Sequence, residues 1–233
     1  EHKLGITASP TCVLAFGDHS DGAIGYRIGE ECAGMRAMFT MMNAERLMVG
    51  IQGLGIAGAS YIQAVGYAKD RLQGRSADGA RGPVAIIEHA DVRRMLLNVR
   101  GFVEAARALA GWVALQMERS HHHAEPGERA KADALVALLT PVVKAGFTDF
   151  GFESAVQAQQ VFGGHGYIRE WGMEQYVRDA RIAQIYEGTN GVQAMDLVGR
   201  KFSPAGGAVV DGFFDLVAAE LAEAGKSESA SLI

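Results

Sequence analysis

Cysteine is nearly absent from this chain, which has two, Cys12 and Cys32, in 233 residues. Two thiols cannot form the bridges that brace a small secreted domain, so the expectation is free thiols in a reducing cytoplasm. Basic excess is missing too: 22 Lys and Arg stand against 27 Asp and Glu, a formal net charge of −5, with no block of either sign. Binding to a phosphate backbone draws on clustered cations, so nucleic acid is excluded as a partner class. Long apolar runs are the third absence, none approaching the roughly 18 residues that span a bilayer. The opening Glu1-His2-Lys3-Leu4 has neither an initiator Met nor an apolar signal segment, the start expected of a processed or excised fragment. What remains, 48% hydrophobic residues and only 5 prolines, is the composition of a soluble globular protein with a sizeable core.

Residues 1–33 carry short apolar runs, such as Thr11-Cys12-Val13-Leu14-Ala15-Phe16, bounded by Gly-Asp and Asp-Gly turns. They predict two or three strands, too few to bury a sheet face alone, so they read as the end of an incomplete β domain. From Gly34 the texture becomes helical, and the patterning predicts helices at about 35–72, 90–119, 129–162, 173–184 and 190–201. The fold class is mainly α. The glycines at 50, 53, 55 and 58 each weaken an isolated helix by roughly 1 kcal/mol relative to Ala, which predicts a surface where another backbone or a ligand comes close. Met35, Met38, Met41, Met42 and Met48 follow near-helical spacing; core packing is the first reading and an acyl pocket the second. Gly74 to Pro83 and Ser120 to Gly127 read as loops, and His121-His122-His123 in the second predicts no metal site. After Phe202 come a linker over 203–207, an amphipathic helix at about 209–224 and a Ser-rich end.

One stretch concentrates chemistry. In Ile182-Ala183-Gln184-Ile185-Tyr186-Glu187-Gly188-Thr189-Asn190 a carboxylate stands between a helix end and a helix start, with Ile182, Ile185 and Tyr186 as apolar neighbours. A general base working near neutral pH needs such a setting. Gly188 lets backbone approach a ligand, and Thr189 can cap the following helix. On residue chemistry alone a solvated loop carboxylate stays open beside the base, and it is the commoner fate of Glu.

Four ordered motifs decide between them. Tyr186-Glu187-Gly188-Thr189, preceded by Arg178-Asp179-Ala180-Arg181, resembles the acyl-CoA dehydrogenase signature around its catalytic glutamate. Gln160-Val161-Phe162-Gly163-Gly164-His165-Gly166-Tyr167 resembles that family's Gly-rich turn, which binds the FAD of the neighbouring subunit. Tyr67-Ala68-Lys69-Asp70-Arg71-Leu72-Gln73-Gly74-Arg75 is similar to the segment whose Arg crosses the dimer to the FAD pyrophosphate. Met42-Asn43-Ala44-Glu45-Arg46 is similar to the helix that lines the acyl-CoA site and sets an Arg near the catalytic carboxylate. The wording at His89-Ala90-Asp91-Val92-Arg93-Arg94 and Asp196-Leu197-Val198-Gly199-Arg200-Lys201 resembles the long, C-terminally extended subgroup that includes 3-methylmercaptopropionyl-CoA dehydrogenases.

The resemblance implies a helical bundle over 34–202, preceded by the end of the middle β domain over 1–33 and followed by a linker and helical tail over 203–233. It implies Glu187 and Arg46 as catalytic residues, and Asn43, Arg46, Tyr186 and Gly188 at the substrate. FAD falls to Arg71, Gln73, His89, Gln160, Gly163, Gly164, Thr189 and Gly191. The implied reaction converts an acyl-CoA thioester to trans-2-enoyl-CoA, with electron-transfer flavoprotein or a similar acceptor downstream and a homodimer or homotetramer as the assembly. Two alternatives share the ancestry: a truncated, non-catalytic helical oligomerisation module, and an acyl-CoA oxidase.

Overall fold

The computed structural model describes residues 1–19, 21–77, 79, 82–202 and 207–225. Residues 203–206 of the expected 203–207 linker and the Ser-rich end lie outside them, and Gly207 begins a helix. Three long helices dominate: α1 (Gly34–Asp70), α2 (Ala90–His122) and α3 (Pro126–Val161). At 1.5 Å per residue each is roughly 50 to 55 Å long. Shorter helices follow, α4 (Met173–Arg181), α5 (Asn190–Asp196) and α6 (Gly207–Ala224), with 3₁₀ turns at Gly163–Tyr167, Arg169–Trp171 and Ile182–Gln184. Between α5 and the linker the chain loosens into a π-helical turn, Leu197–Lys201.

Packing begins with small residues. A Cβ on Gly50 would stand 2.8 Å from Val143 Cγ1, and one on Gly53 would stand 2.5 Å from the Phe147 carbonyl oxygen. Gly151 answers from the other side, its Cβ position 2.6 Å from the Gly53 carbonyl oxygen. Thus α1 and α3 touch backbone to backbone and run parallel, as the expected close approach at Gly50 and Gly53 requires. Gly55 meets nothing within 4 Å. The core formed around this seam, with α2 laid across it, holds Leu54, Ala57, Val99, Val103, Leu139, Val143 and Phe147. A second cluster towards the C-terminal ends of α1 and α3 joins Ala64, Ala68, Met95, Leu96, Ala158 and Val161 to Met173 of α4.

Several expectations are corrected. Residues 47–68 carry no charge, and by length and composition both α1 and α3 are apolar enough to cross a bilayer. Their apolar windows are 44% and 50% buried within the protein, so this apolarity serves the helix seam. Among the described residues of 1–33 there is no strand, and Val13 and Ile28 are each 98% exposed. A strand needs a partner edge, and none is available to them here. The sheet lies instead where a loop was expected, as an antiparallel ribbon of β1 (Leu72–Arg75) and β2 (Pro83–Ala85). It forms because Gly74 takes a φ of 76° and the chain must turn back to start α2. His121 and His122 belong to the last turn of α2, not to a loop. Met35, Met38, Met41 and Met48 are exposed rather than core.

The N-terminal stretch is tied down at one point. The Ile6 N–H donates to Asp179 Oδ1 at 2.6 Å, and Arg178 donates to the Leu4 carbonyl at 2.8 Å. Glu174, hydrogen-bonded to Arg178, is held below the usual carboxylate range.

Candidate active site

Glu187 leaves the 3₁₀ turn Ile182–Gln184 and adopts a φ of 53°, followed by Gly188 at 81°. A left-handed non-glycine residue costs roughly 1–2 kcal/mol, so the surrounding structure must hold it there. Gln193 of α5 does part of this. Only 1% exposed, it donates its amide to the carbonyls of Glu187 and Gly188 at 3.4 and 3.3 Å. A Cβ on Gly188 would meet that amide nitrogen at 2.8 Å, so the position admits no side chain without displacing Gln193. Thr189 caps α5 as expected, its Oγ1 accepting the Val192 N–H at 3.3 Å.

The middle of α1 supplies the opposite wall. Arg46 has a guanidinium nitrogen 3.8 Å from the Gly188 Cβ position and donates to Asn43 Oδ1 at 3.4 Å, while its Nε is buried without a protein partner. Tyr186 donates its hydroxyl to Gln52 Oε1. Burial pushes the Tyr186 phenol up, opposed by the Gln52 hydrogen bond and reinforced by the charges of Glu187 and Glu45. The predicted residues Asn43, Arg46, Tyr186, Glu187 and Gly188 therefore meet in one place, with Thr189 and Gly191 beside them at the start of α5. The apolar wall is incomplete, since Ile185 is 47% exposed.

Sequence reasoning missed the layer beneath. Lys144 of α3 is fully buried and donates to Asn190 Oδ1 at 2.9 Å. Burial pushes its ammonium down from 10.5, opposed by Asp149, reinforced by Arg46 and opposed by Glu187. A signal existed: Thr140, Lys144 and Thr148 recur every fourth residue within 134–148, a stretch of α3 that is otherwise apolar, and all three are buried.

The other predicted cofactor residues gather elsewhere. Arg71, Gln73, His89, Gln160 and Gly163 line one cleft of about 250 Å³ between the ribbon and the C-terminal end of α3. His89 Nε2 hydrogen-bonds the Gln73 carbonyl at 2.8 Å, and the Gly74 Cβ position lies 3.0 Å from the same ring. Gly163 has a φ of 57° and nothing within 4 Å of its Cβ position, a backbone open to close approach. Tyr67 stacks on Phe162 with ring centroids 4.1 Å apart and bonds His165 Nδ1 at 2.9 Å, which stiffens the turn holding Gly163 and Gly164. Arg46 and Arg71 mark opposite ends of this arrangement, roughly 37 Å apart along α1.

Residues 33–201 match the family described as Acyl-CoA dehydrogenase, C-terminal domain. The chain is 44% identical to a 3-methylmercaptopropionyl-CoA dehydrogenase of Ruegeria pomeroyi, over 99% of its own length and 39% of the relative's. It is 41% identical to a butyryl-CoA dehydrogenase of Syntrophomonas wolfei, over 87% of its length and 34% of that protein's. The solved butyryl-CoA dehydrogenase of Megasphaera elsdenii superposes with a TM-score of 0.60 at 30% identity, covering 73% of this chain and 39% of that one. The chain thus spans well under half the length of these relatives, but most of its own length is accounted for by one domain, and it belongs to the acyl-CoA dehydrogenase family.

Proposed function

We propose that this chain carries the catalytic base of an FAD-dependent acyl-CoA dehydrogenase and that the base is Glu187. The observation that supports this most is a carboxylate-bearing residue held at φ 53° by a buried glutamine, beside an arginine with an unpartnered buried Nε. Strain retained in this way belongs to functional positions more than to ordinary loops. Glu187 takes the α-proton of the thioester, the β-hydrogen departs with its electron pair, and the α–β bond becomes double, giving a trans-2-enoyl-CoA. Arg46 orients the carboxylate and, with Asn43, Tyr186 and Gly188, borders the substrate. The exposed methionines of the first turns of α1 offer an adaptable apolar surface to an acyl chain, whether aliphatic or sulfur-containing.

The chemistry of the cleft fits FAD: a cationic Arg71, the amide of Gln160, a positioned His89 and the bare backbone at Gly163 suit a pyrophosphate and its sugars. When bound, FAD supplies the two-electron acceptor. Arg71 stands roughly 37 Å along α1 from Arg46, and the family resemblance assigns the Gly-rich turn of one copy to the FAD of its neighbour, so we read the cleft of one copy as serving the Glu187 turn of another. This supports a homodimer or a homotetramer as the working unit. An electron-transfer flavoprotein or a similar acceptor would be the partner that takes the electrons onward. The exposed apolar side chains of residues 1–33 suit the edge of a β domain, the reading given to this stretch from its sequence.

Glu187→Gln in the flavin-loaded native polypeptide tests the assignment. Removing a general base lowers turnover by about 10²–10⁴-fold while the flavin absorption band stays; near-normal turnover sinks it. A preparation that never takes up flavin favours the non-catalytic module instead.

A further inference from the structure

Glu187 lies midway between two residues that reach the same helix. Three positions before it, Gln184 Nε2 donates to Asp149 Oδ1 at 2.6 Å. Three positions after it, Asn190 Nδ2 donates to the same oxygen at 2.7 Å. The Asn190 amide is engaged further by that turn of α3, since its Nδ2 also donates to Thr148 Oγ1 at 3.0 Å and its Oδ1 accepts from Lys144 Nζ at 2.9 Å. Both ends of the segment that carries the left-handed Glu187 are therefore fastened to residues 144–149 of α3, and α3 itself is fixed by its glycine contacts with α1.

We propose that Lys144, Thr148 and Asp149 form a clamp that positions Glu187, acting through Gln184 and Asn190 and touching no substrate. The proposal rests on reading Glu187 as the base. Two amide donors on one carboxylate oxygen are charge-assisted, stronger than neutral pairs, and they fix the chord of the turn. Gln193 fixes its crown from the other side, through the Glu187 and Gly188 carbonyls. Lys144 is the unusual component: a wholly buried ammonium whose hydrogen-bond partner is a neutral amide. Such a group is expensive to bury, which argues for a role beyond filling space. A base displaced by about 1 Å loses on the order of 10²-fold in rate, so the clamp has a kinetic signature distinct from stability.

The test compares Asp149→Ala, Asp149→Asn and Glu187→Gln in the native flavin-loaded polypeptide. Asp149→Ala is expected to lower kcat by about 10- to 100-fold with KM and flavin content little changed. Asp149→Asn keeps a carbonyl oxygen for both amides but loses the charge assistance, and is expected to lose clearly less kcat than Asp149→Ala. Amide hydrogen exchange over 184–193 is expected to rise about tenfold in Asp149→Ala, while the α3 core keeps its protection. Wild-type kcat and exchange in Asp149→Ala, or an equal loss in Asp149→Asn, overturns the clamp. Should Asp149→Ala fail to fold, Gln184→Met removes one fastening alone and carries the same expectations for kcat and exchange. If Glu187→Gln keeps its turnover while exchange still rises in Asp149→Ala, the base assignment has failed and the clamp on the turn stands.

Discussion

Near Arg46, α1 meets a turn whose backbone is left-handed at Glu187 and Gly188 and whose fastenings are the buried Gln193 amide, the buried Lys144 ammonium, the half-buried amides of Gln184 and Asn190, and the exposed Asp149 carboxylate. Near Arg71 it meets an open cleft where Arg71, Gln73, Gln160 and Gly163 are exposed and only His89 is half-buried. The first region is braced by its own chain before any ligand arrives. The second presents exposed side chains and bare backbone. A site that moves a proton needs fixed geometry, whereas a site that grips an extended anionic cofactor needs donors and access. On the proposed reading of Glu187 and the Arg71 cleft, the contrast follows that division of labour.

The largest expected effect breaks the comparison at its braced end. In steady-state kinetics Glu187→Gln is expected to remove about 10²–10⁴-fold of kcat and leave flavin content unchanged, because the carboxamide keeps the shape of the side chain and loses its basicity. At the open end, Arg71→Ala is expected to weaken flavin retention about tenfold, equivalent to about 1.4 kcal/mol, with kcat per bound flavin little altered. Flavin titration against the apoprotein checks it, and an equal loss of kcat per flavin would mean that the two ends are not functionally separate.

Smaller effects sharpen the picture of the brace. Thr189→Ala removes the cap of α5 and is expected to cost about 1 kcal/mol in urea unfolding, with loosening confined to the Glu187 side. Lys144→Met gives the smallest signal, a drift with pH. The Lys144 ammonium has a folded pKa below its unfolded value of 10.5, so the unfolded chain binds the extra proton between those two values. Wild-type stability from this group therefore rises with pH across that window and is level below it. The stability of Lys144→Met relative to wild type is expected to fall as pH climbs towards 10.5, as read by denaturant midpoints; a difference that stays flat would mean that the buried amine is not the titrating group.

Much of the fold was legible because the long helices announce themselves locally. The predicted 90–119 and 129–162 lie within a few residues of α2 and α3, and Gly50 and Gly53 correctly marked a close backbone approach. Locality also explains the failures. The runs in 1–33 have strand-like composition, yet pairing depends on a neighbouring edge, which no window of sequence contains. The methionines of α1 repeat with helical spacing, but periodicity names a face without saying what covers it. The site was legible as a set of residues through motif resemblance, and its splitting into two places was legible only through the cross-subunit roles that the resemblance implied.

By itself the sequence determined the helical class, the family motifs, Thr189 as a cap and Glu187 as the residue most worth attention. All of these are written within a few turns of chain, where propensity, capping and residue order act. Only the tertiary structure decided that Glu187 is left-handed, and that Lys144 and Asp149 reach Asn190 across 46 and 41 positions. It alone placed Arg46 against Gly188 and Arg71 at the far end of the same helix. Those relations arise from packing α1 on α3 through glycine, and contacts between segments so distant in sequence are set by the packed whole.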